Sequence, residues 1–214
     1  SKSLTINGNG ATLDAKVLSY IIYGKASNIN LKNINFVNAF DDHYGAAVYG
    51  VNDITNCRFE NNRVKGYDVT YGGAIYDVNN VVNCVFVDNY AKEYGGAVSH
   101  CNKVSGCTFI NNCAEVYGGA VDDCTIIEKC TFKDNYVVKA TGAGGAICGG
   151  IAIDCIFEGN SEPATYTTTV LNNVTGKLTL KQTGSYYGSK TITVTLTDAN
   201  TNAALPDQTV VVKF

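Results

Sequence analysis

The stretch Tyr94-Gly95-Gly96-Ala97-Val98-Ser99-His100-Cys101-Asn102-Lys103-Val104-Ser105-Gly106-Cys107-Thr108-Phe109-Ile110-Asn111-Asn112 decides the fold, because its landmarks recur along the chain. Gly45-Ala46-Ala47-Val48, Gly72-Gly73-Ala74-Ile75, Gly118-Gly119-Ala120-Val121 and Gly144-Gly145-Ala146-Ile147 match Gly95 to Val98, at spacings of 27 (72-45), 23 (95-72), 23 (118-95) and 26 (144-118). A Cys follows the first small residue of each unit by 12 (57-45, 84-72, 107-95, 130-118) or 11 (155-144). Phe59, Phe86, Phe109, Phe132 and Phe157 stand two residues after these Cys, and Asn62, Asn89, Asn112, Asn135 and Asn160 three after each Phe.

A unit of about 23 residues with alternating apolar and polar positions is one coil of a solenoid of short strands. Leucine-rich repeats are excluded because no Leu lies between Gly45 and Asn160, and WD-type propellers are disfavoured because the chain has no Trp. The expected architecture is all-β: a right-handed parallel β-helix over residues 1–163, its hand taken from the crossover rule, with equivalent residues in straight rows. Val48, Ile75, Val98, Val121 and Ile147 form one aliphatic row, Ile54, Val81, Val104 and Ile127 a second, and Cys and Phe two more. The Asn row is expected at a corner, taking left-handed dihedrals and bonding amide to amide between coils. Leu31 to Phe36 fits the same plan with Ile34 in the Cys slot, Ala39 breaks the Asn row, and Leu4 to Leu13 is expected as an opening coil. Both Pro fall after Asn160, which keeps the coils free of strand breakers.

From residue 164 to 214 the texture changes. Lys177 to Lys181, Thr191 to Thr197 and Thr209 to Phe214 alternate Thr or Lys with apolar residues, as strands of an incomplete β-sandwich would. Unpaired edges there would accept a strand from a neighbour, which makes self-association through this segment one expectation.

The 214 residues carry a net charge of -3, with Arg only at positions 58 and 63, which excludes an electrostatic nucleic-acid footprint. No apolar run is long enough to span a bilayer, and Ser1 to Asn9 lacks a basic and then hydrophobic leader. The expectation is a soluble chain, or the soluble part of one whose targeting segment has been removed, with no membrane insertion here.

Three rows carry candidate chemistry. Nine Cys in a secreted chain suggest a disulfide framework, but Cys57, Cys84, Cys107, Cys130 and Cys155 fall in one interior row and Cys101 and Cys124 in a slot that Val51 and Val78 fill elsewhere. Reduced Cys as small core residues is the favoured reading; strained disulfides or a metal are the alternatives, a straight row being a poor tetrahedral site. Gly50, Asp77, His100 and Asp123 form a second row, in which two carboxylates would flank an imidazole. It is read as a solvated polar edge, against the alternative of an acid-base or metal site. Tyr44, Tyr71, Tyr94 and Tyr117 precede the small-residue corner and would stack between coils, shielding that corner or offering a glycan or protein contact. The longer excursions Arg63 to Tyr71 and Tyr136 to Ala143 enter the same edge, which marks it as the preferred contact surface. Asn173-Val174-Thr175 is an Asn-x-Thr sequon at the junction.

The Gly-Gly-Ala-Ile/Val and Phe-x-x-Asn pairing resembles the repeats of the chlamydial polymorphic membrane proteins, which are surface adhesins. The Ile6 to Gly10 opening, the Asn-Cys-x-Phe coils and the tail Tyr187 to Ala199 resemble still more the adhesin-like surface proteins of methanogenic archaea, where β-helix regions precede bacterial Ig-like repeats. That resemblance implies an extracellular, cell-surface, non-enzymatic protein with no cofactor, no catalytic residue and no resident metal, binding host or neighbouring-cell glycans or surface proteins. It also implies an Ig-like identity for 164–214, and an anoxic habitat that suits retained thiols. The competing readings are a β-helix polysaccharide lyase or hydrolase, which would need a strong base beside Asp77, His100 and Asp123, and a self-assembling filament subunit.

Overall fold

The computed structural model describes residues 3–24, 28–66, 69–171, 176–182 and 192–198, with side-chain surroundings up to Leu171. Residues 1–172 and 173–214 form two compact units.

The first unit is a parallel β-solenoid of about seven coils of about 23 residues, built from strands alone among the described residues. Coil by coil, equivalent residues pair in register: Val98 lies between Ile75 and Val121, Val104 between Val81 and Ile127, and Phe109 between Phe86 and Phe132. One coil reads as four short strands, for example Val98–Ser99, Lys103–Ser105, Thr108–Ile110 and Cys113–Ala114. Each break between them opens on a residue with positive φ, His100 (55°), Gly106 (61°) and Asn111 (53°), and Gly95 (60°) does the same before the first strand. In other coils the same breaks are made by Gly, Asp or Asn, apart from Lys129 and Thr167, and Lys16 and Val17 in the opening coil; Gly, Asn and Asp are the residues that enter this region at least cost. The four corners per coil therefore set the composition of the chain.

Two corner glycines are required for space as well as angle. A Cβ at Gly72 would sit 2.1 Å from the Ile75 carbonyl oxygen, and one at Gly73, 2.0 Å from that of Gly96 in the next coil. The paired small residues are thus where successive coils press backbone against backbone.

The interior rows are as expected. Leu31, Ile54, Val81, Val104 and Ile127 and the row Val48 to Ile147 are sealed from solvent. Phe36, Phe59, Phe86, Phe109, Phe132 and Phe157 form one continuous stack, centroids 4.8 to 5.3 Å apart and planes within 11°. The nine cysteines are free thiols, and all but Cys148 are buried.

The Asn row departs from expectation in one respect. The left-handed residue is the one before it: Asn61, Asp88, Asn111, Asp134 and Gly159 hold the positive φ. Asn62, Asn89, Asn112 and Asn135 instead point inward and are fully buried or nearly so. Asn89, Asn112 and Asn135 each accept two bonds on Oδ1 from the preceding coil, as Asn112 does from the Asn89 backbone N–H (3.0 Å) and Nδ2 (2.9 Å). Its own Nδ2 donates to the carbonyl of Phe86 at 3.1 Å. The row closes at Ala39, whose N–H donates to Asn62 Oδ1 at 3.0 Å, so the missing Asn there ends the ladder without breaking it.

The cysteines do the same work at another corner. The backbone N–H of Cys57 donates to Cys84 Sγ, that of Cys84 to Cys107 Sγ and that of Cys107 to Cys130 Sγ, each at 3.4 Å. Each thiol in turn faces a carbonyl, as Cys107 Sγ does that of Ser105 at 3.3 Å. A corner turns its N–H away from the strand ladder, and the sulfur of the next coil receives it.

The opening coil is Leu4–Asp14, paired with Ile29–Val37 (Leu4 with Ile29, Ile6 with Leu31, Leu13 with Phe36), with a register shift between Asn7 and Ala11. At the other end, parallel pairing continues past Pro163: Thr165–Tyr166 lies on Ile147–Cys148, and Thr169–Leu171 on Ile151–Ile153. The coils therefore run eight residues beyond the expected boundary at 163.

In the second unit, Gly176–Gln182 pairs antiparallel with Ile192–Asp198. The expected strand Thr209 to Phe214 and the sequon at Asn173 lie outside the described residues. Among the described residues no helix is long and apolar enough to cross a membrane.

Candidate functional site

The site is assembled on the sheet that carries Val48–Tyr49, Ile75–Tyr76, Val98–Ser99, Val121–Asp122 and Ile147–Cys148. In each pair the first residue points into the core and the second outward. Its outer row reads Tyr23, Tyr49, Tyr76, Ser99, Asp122, Cys148 and Tyr166. Tyr44, Tyr71, Tyr94 and Tyr117 meet in a line of single parallel bridges immediately before the small-residue corner, and their rings lie over this outer row.

The four expected tyrosines do stack. Centroids are 6.0 Å (Tyr44 to Tyr71), 5.1 Å (Tyr71 to Tyr94) and 5.9 Å (Tyr94 to Tyr117), with planes within 20°. Tyr166 continues the stack at 5.6 Å. A second, tilted file of Tyr23, Tyr49, Tyr76 and His100 runs beside it, with Tyr44 4.8 Å from Tyr76 and Tyr71 5.3 Å from His100. The two files make one face, exposed at Tyr23 (55%) and Tyr44 (41%) and partly buried at Tyr49, Tyr71, Tyr76, Tyr94 and Tyr117. Packing against neighbours raises the Tyr76 phenol to about 12, with Tyr44 and Asp77 adding to the effect.

Asp77, His100 and Asp123 stand at left-handed corners beside this face, with φ of 57°, 55° and 47°. The geometry places the imidazole between a hydroxyl and one carboxylate instead of between two carboxylates. His100 Nδ1 is 2.9 Å from Ser99 Oγ and Nε2 is 3.3 Å from Asp123 Oδ2, so neither ring nitrogen is left for Asp77. The charge of Asp77 acts instead on the phenols of Tyr49 and Tyr76.

Ser99 Oγ also lies 3.3 Å from Asp122 Oδ2, which extends the chain to Asp122, Ser99, His100 and Asp123. Asp122 is 6% exposed, and burial raises its carboxyl to about 7, with the Asp123 charge pushing the same way against hydrogen bonds from Cys148 and Ser99. The order serine, histidine, aspartate has the outline of a hydrolytic triad, but the Ser99 hydroxyl is fully buried, so the chain orders the ring and offers no nucleophile to a substrate. Among the described residues no three metal-ligating side chains converge.

Several cations are engaged elsewhere: Arg58 with Glu60 at 3.0 Å, Lys103 with Glu128 at 2.8 Å, and Lys139 with Glu115 at 3.6 Å. Arg63 lies over the Tyr90 ring, and Lys92 Nζ donates to the Gly66 carbonyl. A concavity of about 310 Å³ opens over Asn30, Lys32, Asp53 and Asn80, where Asp53 accepts from Asn80 at 2.7 Å and from Asn52 at 2.9 Å.

The reading of the sequence had found one file of this face and missed the other. The signal was present in Tyr49 and Tyr76, each directly after a core aliphatic residue, but Ser99, Asp122 and Cys148 interrupt the row and hide its period. Comparison of the chain with protein families, with curated proteins and with solved structures finds no match.

Proposed function

We propose that this chain is a non-enzymatic, adhesin-like surface protein whose β-helix holds out the tyrosine face to a partner beyond the cell, glycan or protein. The segment after residue 172 is read as the start of an Ig-like module, in keeping with its antiparallel pair. The observation that carries this reading is the placement of aromatic area. The interior is already closed by its aliphatic, Cys, Phe and Asn rows, so the tyrosines contribute nothing needed to fill it. A face of partly exposed tyrosines running along successive coils is the composition of a contact surface, apolar area with polar tips. The buried Ser99 hydroxyl and the remote engagement of Arg58, Lys103 and Lys139 favour binding over hydrolysis or elimination at His100.

The test is adhesion of the purified chain to intact cells and to printed glycans, with and without Tyr71→Ala combined with Tyr94→Ala. Loss of binding by a variant that still unfolds cooperatively is the expected result. Unchanged binding would place the contact elsewhere, and turnover of a polysaccharide abolished by His100→Ala would restore the enzymatic reading.

A further inference from the structure

We infer that the partner of the tyrosine face is a cationic protein segment, one that brings lysine or arginine side chains, and not a stacked sugar. This inference rests on the tyrosine face being the contact surface, and it names what that surface recognises.

The geometry of the rings excludes the usual sugar platform. A pyranose stacks on an open aromatic face, and in the main file the faces are taken: each ring from Tyr44 to Tyr117 lies against its neighbours at 5.1 to 6.0 Å, and Tyr166 covers the last. With the faces stacked, ring edges and hydroxyls are the parts of these tyrosines left for a partner, and hydroxyls are hydrogen-bonding groups suited to donors on flexible side chains.

Carboxylates flank the rings on both sides. Asp77 and Asp123 are exposed at the corner on one side, and half-buried Glu93 precedes Tyr94 on the other. The groups that act most on the phenols of Tyr49, Tyr71, Tyr76 and Tyr94 are these carboxylates, Asp122 and neighbouring tyrosines. Lys92, beside Glu93 in sequence, is turned to the Gly66 carbonyl instead. A rim of carboxylates around phenol hydroxyls complements lysine or arginine through charge-assisted hydrogen bonds. It would repel an acidic partner.

The experiment is titration of the purified chain with a decaarginine peptide and with a decaglutamate peptide, followed by tyrosine fluorescence, which a chain without Trp makes readable. Decaarginine binds and decaglutamate does not, and the affinity falls as salt is raised. Combining Asp77→Asn, Glu93→Gln and Asp123→Asn weakens binding about tenfold or more; Asn retains the left-handed backbone that positions 77 and 123 require. Combining Asp88→Asn, Asp134→Asn and Glu158→Gln removes the same charge away from the face and changes binding by less than about threefold. Equal weakening by both triple variants, or no binding of decaarginine, overturns the inference. If adhesion to cells is lost with Tyr71→Ala and Tyr94→Ala while decaarginine does not bind, the surface stands and the cationic partner falls. If adhesion survives those substitutions, both readings fall.

Discussion

The Asn ladder and the Tyr ladder repeat with the same period on the same coils, yet one is sealed and the other partly open to solvent. Asn62, Asn89, Asn112 and Asn135 receive the N–H that each corner turns inward, so every member serves its neighbour and none can be spared. The tyrosines touch through ring faces, so they add stacking to a coil whose backbone hydrogen bonds are made by other residues. Period alone therefore does not distinguish scaffold from surface. What a residue does for the backbone of the next coil does.

The comparison breaks most readily at Asn112. Asn112→Ala leaves the Asn89 N–H, the Asn89 amide and the Phe86 carbonyl without their bonds, at about 1–3 kcal/mol each. Denaturant unfolding should show a loss of about 5 kcal/mol, and a loss under about 1 kcal/mol would mean the ladder is not structural. Phe109→Ala opens a cavity within the Phe stack and should cost about 4 kcal/mol by the same measurement.

Asp122 gives the next effect, and its sign is fixed by burial. Its carboxyl titrates at about 7 in the folded chain and in the ordinary range below 4 when unfolded. Between these values the folded chain keeps a proton that the unfolded chain has lost, so stability from this group falls as pH rises. The loss should be about 2 kcal/mol between pH 5 and pH 7. Asp122→Asn keeps a partner for Ser99 and removes the titration, so unfolding free energies across this range should lose that slope. An unchanged slope would assign the titration elsewhere, with Asp123, His100, Cys148, Tyr71 and Tyr94 the surrounding groups.

Cys107→Ala removes the acceptor of the Cys84 N–H and should cost about 2 kcal/mol, while Cys107→Ser, which retains an acceptor, should cost less. Equal costs would reduce the Cys row to packing alone. Burial raises the Cys84 thiol to about 12, so alkylation should reach it only once the coils open.

The interior rows could be read from the sequence because each is a single residue type at a fixed offset, as Cys and Phe are. The corners were harder. Gly50, Asp77, His100 and Asp123 look like chemistry when written as side chains, and they are chosen first for a positive φ, which no letter code displays. The role of sulfur as an acceptor was hidden for a similar reason: Cys in an apolar row reads as volume, and only the direction of the corner N–H shows the bond. The second file of tyrosines was obscured by substitution, since a row that changes from Tyr to Ser to Asp to Cys has no period in composition. The end of the coils was placed too early because Thr165 to Leu171 carries none of the landmarks while still pairing in register.

The central claim is that the tyrosine row faces a partner and the asparagine row holds the coils, and thermal unfolding of two double variants tests it most directly. Tyr71→Ala with Tyr94→Ala should lower the midpoint by less than about 4 °C, whereas Asn89→Ala with Asn112→Ala should lower it by more than about 15 °C. Comparable losses in the two would contradict the account, because the tyrosines would then belong to the scaffold.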